Sequence, residues 1–169
     1  MIRLSEKIDQ LSRAVGRAAS WLILAAVLVS AGNAIMRKAF SLSSNAWLEL
    51  QWYLYGAAFL CAASWVLERN QHVRIDVVAG RFSVRVKTWI ELIGHVVFLL
   101  PMSLMIIYLA WPWFLRSFLS GETSANAGGL ILWPAKSLVL VGFALLALQT
   151  LSEILKLLSR LIEPARARS

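Results

Sequence analysis

A chain of 169 residues that is 59% hydrophobic and only 15% charged falls well short of the charge of a water-soluble domain, where about a quarter of residues ionise. The net charge of +8 does not point to nucleic acid, because Lys and Arg sit at the ends of apolar runs, where they set topology and meet anionic headgroups. The single cysteine, Cys61, lies inside an apolar run, which excludes a disulfide framework and a cysteine-based metal centre.

Residues 1–17 place Leu4, Ile8, Leu11 and Val15 at helical spacing among charged neighbours. That pattern predicts an amphipathic helix on the inner leaflet, with Asp9 and Arg13 as an i, i+4 pair. Span one follows at 18–36 and belongs to the mature chain, although SAGNA at its end imitates a processing site. Span two covers 46–67 and carries Glu49 in its first turn.

The stretch 68–87 interrupts the apolar sequence. Treated as a helix, 74–87 sorts into one face of Ile75, Ala79, Phe82 and Val86 and an adjacent stripe of Arg74, Arg81 and Arg85. This is the layout of a second interfacial helix, with its guanidinium groups at headgroup level. Span three, 88–115, is longer than a bilayer requires, so bends are expected at Pro101 and Pro112. Span four is 130–151 and carries Lys136; a cytoplasmic helix end and tail occupy 152–169. The fold class is therefore all-α, a single membrane domain over 1–169 with four transmembrane helices.

Orientation follows from the short segments between spans. Residues 1–17, 68–87 and 152–169 hold thirteen Lys and Arg, against Arg37, Lys38 and Arg116 on the other side. Both termini and the 68–87 loop are accordingly cytoplasmic. Trp21, Trp65 and Trp89 fall at the inner interface as anchors, and Trp47, Trp52, Trp111, Trp113 and Trp133 at the outer one.

Little in the sequence carries chemistry. Glu49 lies at the outer end of its span, where the helix dipole and headgroup water tolerate a carboxylate; a structural or interface role is expected, with ion coupling the alternative. Glu91 and His95 share a face of span three and suit a local hydrogen bond better than a metal, which would need further ligands on neighbouring helices. One histidine within the spans does not make a bis-His haem site. Lys136 can snorkel outwards, pair with Glu122, or meet a partner subunit. Hydrolase, nucleotide-binding and zinc-protease motifs are lacking, so neither enzyme activity nor a cofactor is expected.

The segment WLELQWYLYGAAF followed by HVRIDVV resembles the DctQ-type small membrane subunit of TRAP (tripartite ATP-independent periplasmic) transporters. Glu49, the run Tyr55-Gly56-Ala57-Ala58 and the run His72-Val73-Arg74-Ile75-Asp76 carry the resemblance, with Asn33, Arg37 and Trp47 in support. It extends over nearly the whole chain and implies a multi-pass protein of the bacterial inner membrane. The implied partners are a large multi-span subunit, which carries the sodium and substrate sites, a periplasmic binding protein that delivers an organic anion, and anionic phospholipids. On this resemblance Glu49, Arg69, His72, Asp76 and Lys136 organise loops or the subunit interface, and the outer loops at 37–45 and 116–129 face the binding protein. Two other classes remain: a stand-alone proton-coupled exporter, and the haem-bearing membrane anchor of a redox enzyme.

Overall fold

The computed structural model describes residues 2–41, 44–69 and 83–166. Four helices long and apolar enough to cross a membrane make up almost all of it. They are α1 (Ile2–Phe40), α2 (Asn45–Glu68), α3 (Val84–Ser120) and α4 (Trp133–Arg166). An even number of crossings returns both chain ends to one face, as the charge asymmetry requires.

The N-terminal segment is not a separate surface helix. It runs without a break into span one as the single helix α1, and the expected Asp9–Arg13 pair does not form. Arg13 instead reaches Glu68 at 3.2 Å, and Asp9 reaches Lys156 at 2.8 Å. An i, i+4 pair on an open helix face is worth only a few tenths of a kcal/mol. Partners on α2 and α4 that also fill a helix interface win.

Helix α4 is the centre of the bundle: α1, α2 and α3 all pack on it, and α1 packs most extensively on α2. Two glycines set the closest approaches. A Cβ on Gly16 would stand 2.6 Å from Trp65 Cβ, and one on Gly142 would stand 2.7 Å from Leu60 Cβ. Small residues at such crossings let helix backbones approach, which matters where lipid supplies no hydrophobic drive for association. Ala19, Ala26, Ala57, Ala58 and Ala147 are buried on the same principle. Large side chains such as Trp52, Phe59 and Tyr108 face outwards, as they do in a bilayer.

Third in the chain, α3 stays continuous through both prolines. Gly94–Leu99 is π-helical, and the Leu100 N–H donates to the His95 carbonyl, five residues back. The wider turn lies immediately ahead of Pro101, whose missing N–H and ring would otherwise disturb an α-helical ladder. Pro112 sits inside the second α-helical stretch, Leu100–Ser120. Ser83 caps the start of α3 by accepting from the Val86 N–H. Arg85 and Lys87 therefore belong to the first turn of span three rather than to the end of a separate helix. The rest of the expected interfacial helix, including Arg74 and Arg81, lies outside the described residues, as do His72 and Asp76.

Candidate interface and anchoring sites

Two polar assemblies stand out, one at each end of the bundle. The outer one begins where Gly121, in the left-handed region at φ 60°, ends α3 and turns the chain back. Residues 121–132 then form a miniature hairpin. Leu132 N–H donates to Glu122 O and Ser124 N–H to Leu130 O, each at 2.9 Å, flanking a single bridge between Thr123 and Ile131. Gly128, at φ 68°, takes the other left-handed position in the turn.

Glu49 fastens this hairpin to α2. Its carboxylate accepts from the Ser124 hydroxyl, from Asn126 Nδ2 at 2.8 Å and from the Leu130 N–H at 2.7 Å. On the same helix, Asn45 Nδ2 donates to Ala127 O at 3.1 Å and the Tyr53 hydroxyl to Ile131 O at 3.2 Å. A third attachment comes from α4. Lys136, itself buried, pairs with Glu122 and lies 4.7 Å from the centroid of the Trp113 ring. That hydrogen bond holds the Glu122 carboxyl below the ordinary glutamate range. Of the fates open to Lys136, the chain takes the pairing with Glu122. Both charged groups thus tie the outer ends of α2, α3 and α4 together.

The inner assembly is a seam between the first turns of α1 and the last turns of α4. Asp9 Oδ1 accepts from Gln149 Nε2, Ser152 Oγ and Lys156 Nζ, each at 2.9 Å. Lys156 Nζ also donates to Glu153 at 2.7 Å, and Ser12 Oγ donates to Gln149 Oε1 at 2.7 Å. Ser5, Ser12, Gln149 and Ser152 are buried, so each polar atom in the seam relies on its neighbours. Beside it, Glu68 accepts from Arg13, and the Arg69 guanidinium lies over the Trp65 ring at 5.4 Å.

The structure thus gathers Glu49 and Lys136 onto one outer assembly and places Arg69 at the inner end of α2. Trp21 and Trp89 are exposed on the surface, whereas Trp65 packs inwards against Gly16. Arg85 is exposed at the start of α3. His95 turns Nδ1 to the backbone carbonyl of Glu91 at 2.6 Å, a local contact of the kind expected but to the main chain. Among the described residues no three His, Cys, Asp or Glu side chains converge on a metal-sized site. The seam was the largest omission from the sequence reading. Gln149, Ser152, Glu153 and Lys156 recur at spacings of three and four, which is the signal of one polar helix face.

Apolar helices joined by paired charges at both ends define a small multi-span membrane protein built as a braced bundle. The family model for tripartite ATP-independent periplasmic transporters, DctQ component, matches residues 26–160, and the chain belongs to that family. It is accordingly a non-catalytic small permease subunit of a TRAP transporter, a multi-pass protein of the bacterial inner membrane. No curated protein and no solved structure matches it.

Proposed function

We propose that this subunit braces a large elevator-type subunit during sodium-coupled uptake of an organic acid anion delivered by a periplasmic binding protein. The observation that carries the reading is the use made of charge. Glu49, Glu122 and Lys136 at the outer end, and Asp9 and Lys156 at the inner end, join one element of the bundle to another, while Glu153 holds Lys156 from within α4. Ionisable groups in membrane proteins that move ions face a cavity or pathway. Here they act as fasteners, which suits a part that stays still while another moves.

The outer hairpin is the natural contact for the binding protein, since three helices hold it rigid above the membrane. Arg74, Arg81 and Arg85, with Trp21 and Trp89, anchor the subunit at the inner leaflet, Trp65 being held within the bundle against Gly16, and Arg69, His72 and Asp76 organise the loop that carries the first two of those arginines. The test is uptake into proteoliposomes holding both membrane subunits, driven by a sodium gradient with binding protein outside. Uptake should vanish when either membrane subunit or the gradient is omitted. Uptake by this subunit alone, abolished by Glu49→Gln, would replace the brace with a stand-alone exporter.

A further inference from the structure

The inner seam does more than join two helices, because it orders three surfaces around them. Helix α1 enters the seam at Ser5, Asp9 and Ser12 and α4 at Ser152, Gln149 and Lys156, with early residues of one meeting late residues of the other. The pair is antiparallel. At about 100° per residue, Leu4 and Leu11 lie roughly a quarter-turn to one side of the α1 seam, and Leu151, Leu158 and Ile162 lie in the same rotational sense from the α4 seam. Viewed down a common axis, antiparallel right-handed helices turn in opposite directions with increasing residue number, so both apolar arcs fall on the same side of the pair. Their exposure agrees: 59% and 45% for Leu4 and Leu11, and 43%, 37% and 57% for Leu151, Leu158 and Ile162. Arg3, Glu6, Gln10 and Arg17 are exposed around the rest of α1, Lys7 is exposed between Leu4 and Leu11, where its long stem lets the ammonium reach the headgroups, and Arg160 is exposed on α4.

The seam therefore inverts the usual arrangement of a soluble helix pair, with polar groups inside and leucines outside. The outer apolar arc of α4 runs from Val141 and Leu148 through Leu151 to Ile162 without a charged residue, because Glu153 and Lys156 both turn inwards. It is thus continuous with the lipid-facing surface of the span. The helices also outrun the bilayer, so an upright pair would push these apolar arcs into water and a tilted pair would sink them in the inner leaflet. Arg3–Phe40 and Trp133–Ile162 measure about 57 Å and about 45 Å, against roughly 30 Å of hydrocarbon.

We propose that the cytoplasmic ends of α1 and α4 form a two-helix paddle lying in the inner leaflet. Its apolar face rests on the acyl chains, its basic face meets anionic headgroups and water, and the Asp9–Lys156 seam holds the two helices as one body. Continuity with the membrane-facing surface of α4 and the excess of arginine on the other face select lipid as the occupant. This rests on the membrane location, not on the identity of the transported solute or the role of the large subunit.

The test is site-directed spin labelling of the full chain in vesicles of phosphatidylethanolamine and phosphatidylglycerol. Single cysteines replace Leu11, Leu158, Gln10 or Arg160 in a Cys61→Ser background. Oxygen, which partitions into lipid, should relax labels at 11 and 158 more than a water-soluble nickel chelate does, with the order reversed at 10 and 160. Nickel dominance at all four would show the ends projecting into water and overturn the paddle. Exclusion of both reagents at 11 and 158 would show a protein surface over that face, and would overturn the choice of lipid. In Asp9→Ala the spectrum at 11 should sharpen as α1 loosens from α4; an unchanged spectrum would refute the seam as the clasp.

Discussion

Replacing glycine with alanine along the four helices should sort the positions into two groups by packing alone. A Cβ at Gly142 would lie 2.7 Å from Leu60 Cβ and 3.1 Å from Leu60 O. Ordinary carbon–carbon contact begins near 3.5 Å, so α2 and α4 must part by about 1 Å at that crossing. No rotamer of Leu60 relieves this, because both clashing atoms are fixed by its backbone. Overpacking of this kind costs about 1–3 kcal/mol, partly offset by the roughly 1 kcal/mol that alanine gains over glycine within a helix. Gly32 and Gly56 have nothing within 4 Å of the added carbon, so there the propensity gain stands alone. The assay is thermal or denaturant unfolding of the purified subunit in mild detergent, with all variants in one series. Gly142→Ala should lie about 1–3 kcal/mol below the Gly32→Ala and Gly56→Ala controls. Equal stabilisation at all three positions would refute the close approach of α2 to α4.

Truncating the seam at Asp9→Ala takes one acceptor from each of Lys156, Gln149 and Ser152, which keep Glu153 and the Ser5 carbonyl as partners, and should cost about 1–3 kcal/mol. The lower part of that range is expected because the Lys156 side chain is 26% exposed. Asp9→Ala combined with Lys156→Ala should recover part of the loss in the same unfolding assay. Glu49→Ala should speed amide hydrogen exchange at Leu130, the hairpin N–H that Glu49 accepts, while leaving membrane insertion intact; unchanged exchange would remove Glu49 from its role as fastener. The Glu122–Lys136 pair sets a pH dependence. Because the folded carboxyl titrates below its ordinary value of 4.5, the stabilisation is fully present above that value and is lost as pH falls through the lowered one. The protection factor at Leu132, its exchange rate divided into the intrinsic rate at each pH, should stay constant from neutral to mildly acidic pH and fall only under stronger acid, and Glu122→Gln should remove that acid-dependent fall.

The number and type of the spans were legible because they depend on composition over long windows, and twenty apolar residues leave few alternatives. Helix ends were less so. The fourth helix begins at Trp133 rather than 130 and runs on to Arg166; a cytoplasmic helix end was expected beyond 151, but not that Gln149, Ser152, Glu153 and Lys156 turn into the bundle and leave an apolar outside. A hydropathy window averages around the helix and cannot see that the polar residues share one face. The Asp9–Arg13 expectation failed for a related reason: local spacing offers a pair, but the partners taken lie 55 and 147 residues away in sequence. Glu49 stands out in the sequence as a carboxylate within a span, yet its donors come from a hairpin whose only visible signals are Gly121 and the Gly128-Gly129 pair. The π-helical turn before Pro101 left no signal beyond the proline itself.

The most direct test of the central claim is to tag the C-terminus, solubilise native membranes in mild detergent and identify what co-purifies. A much larger multi-span protein in near-equal amount, retained in Glu49→Gln, is the result expected of a bracing subunit whose carboxylate serves its own hairpin. A chain that emerges alone, or only with itself, and that still transports a solute in liposomes would contradict the account.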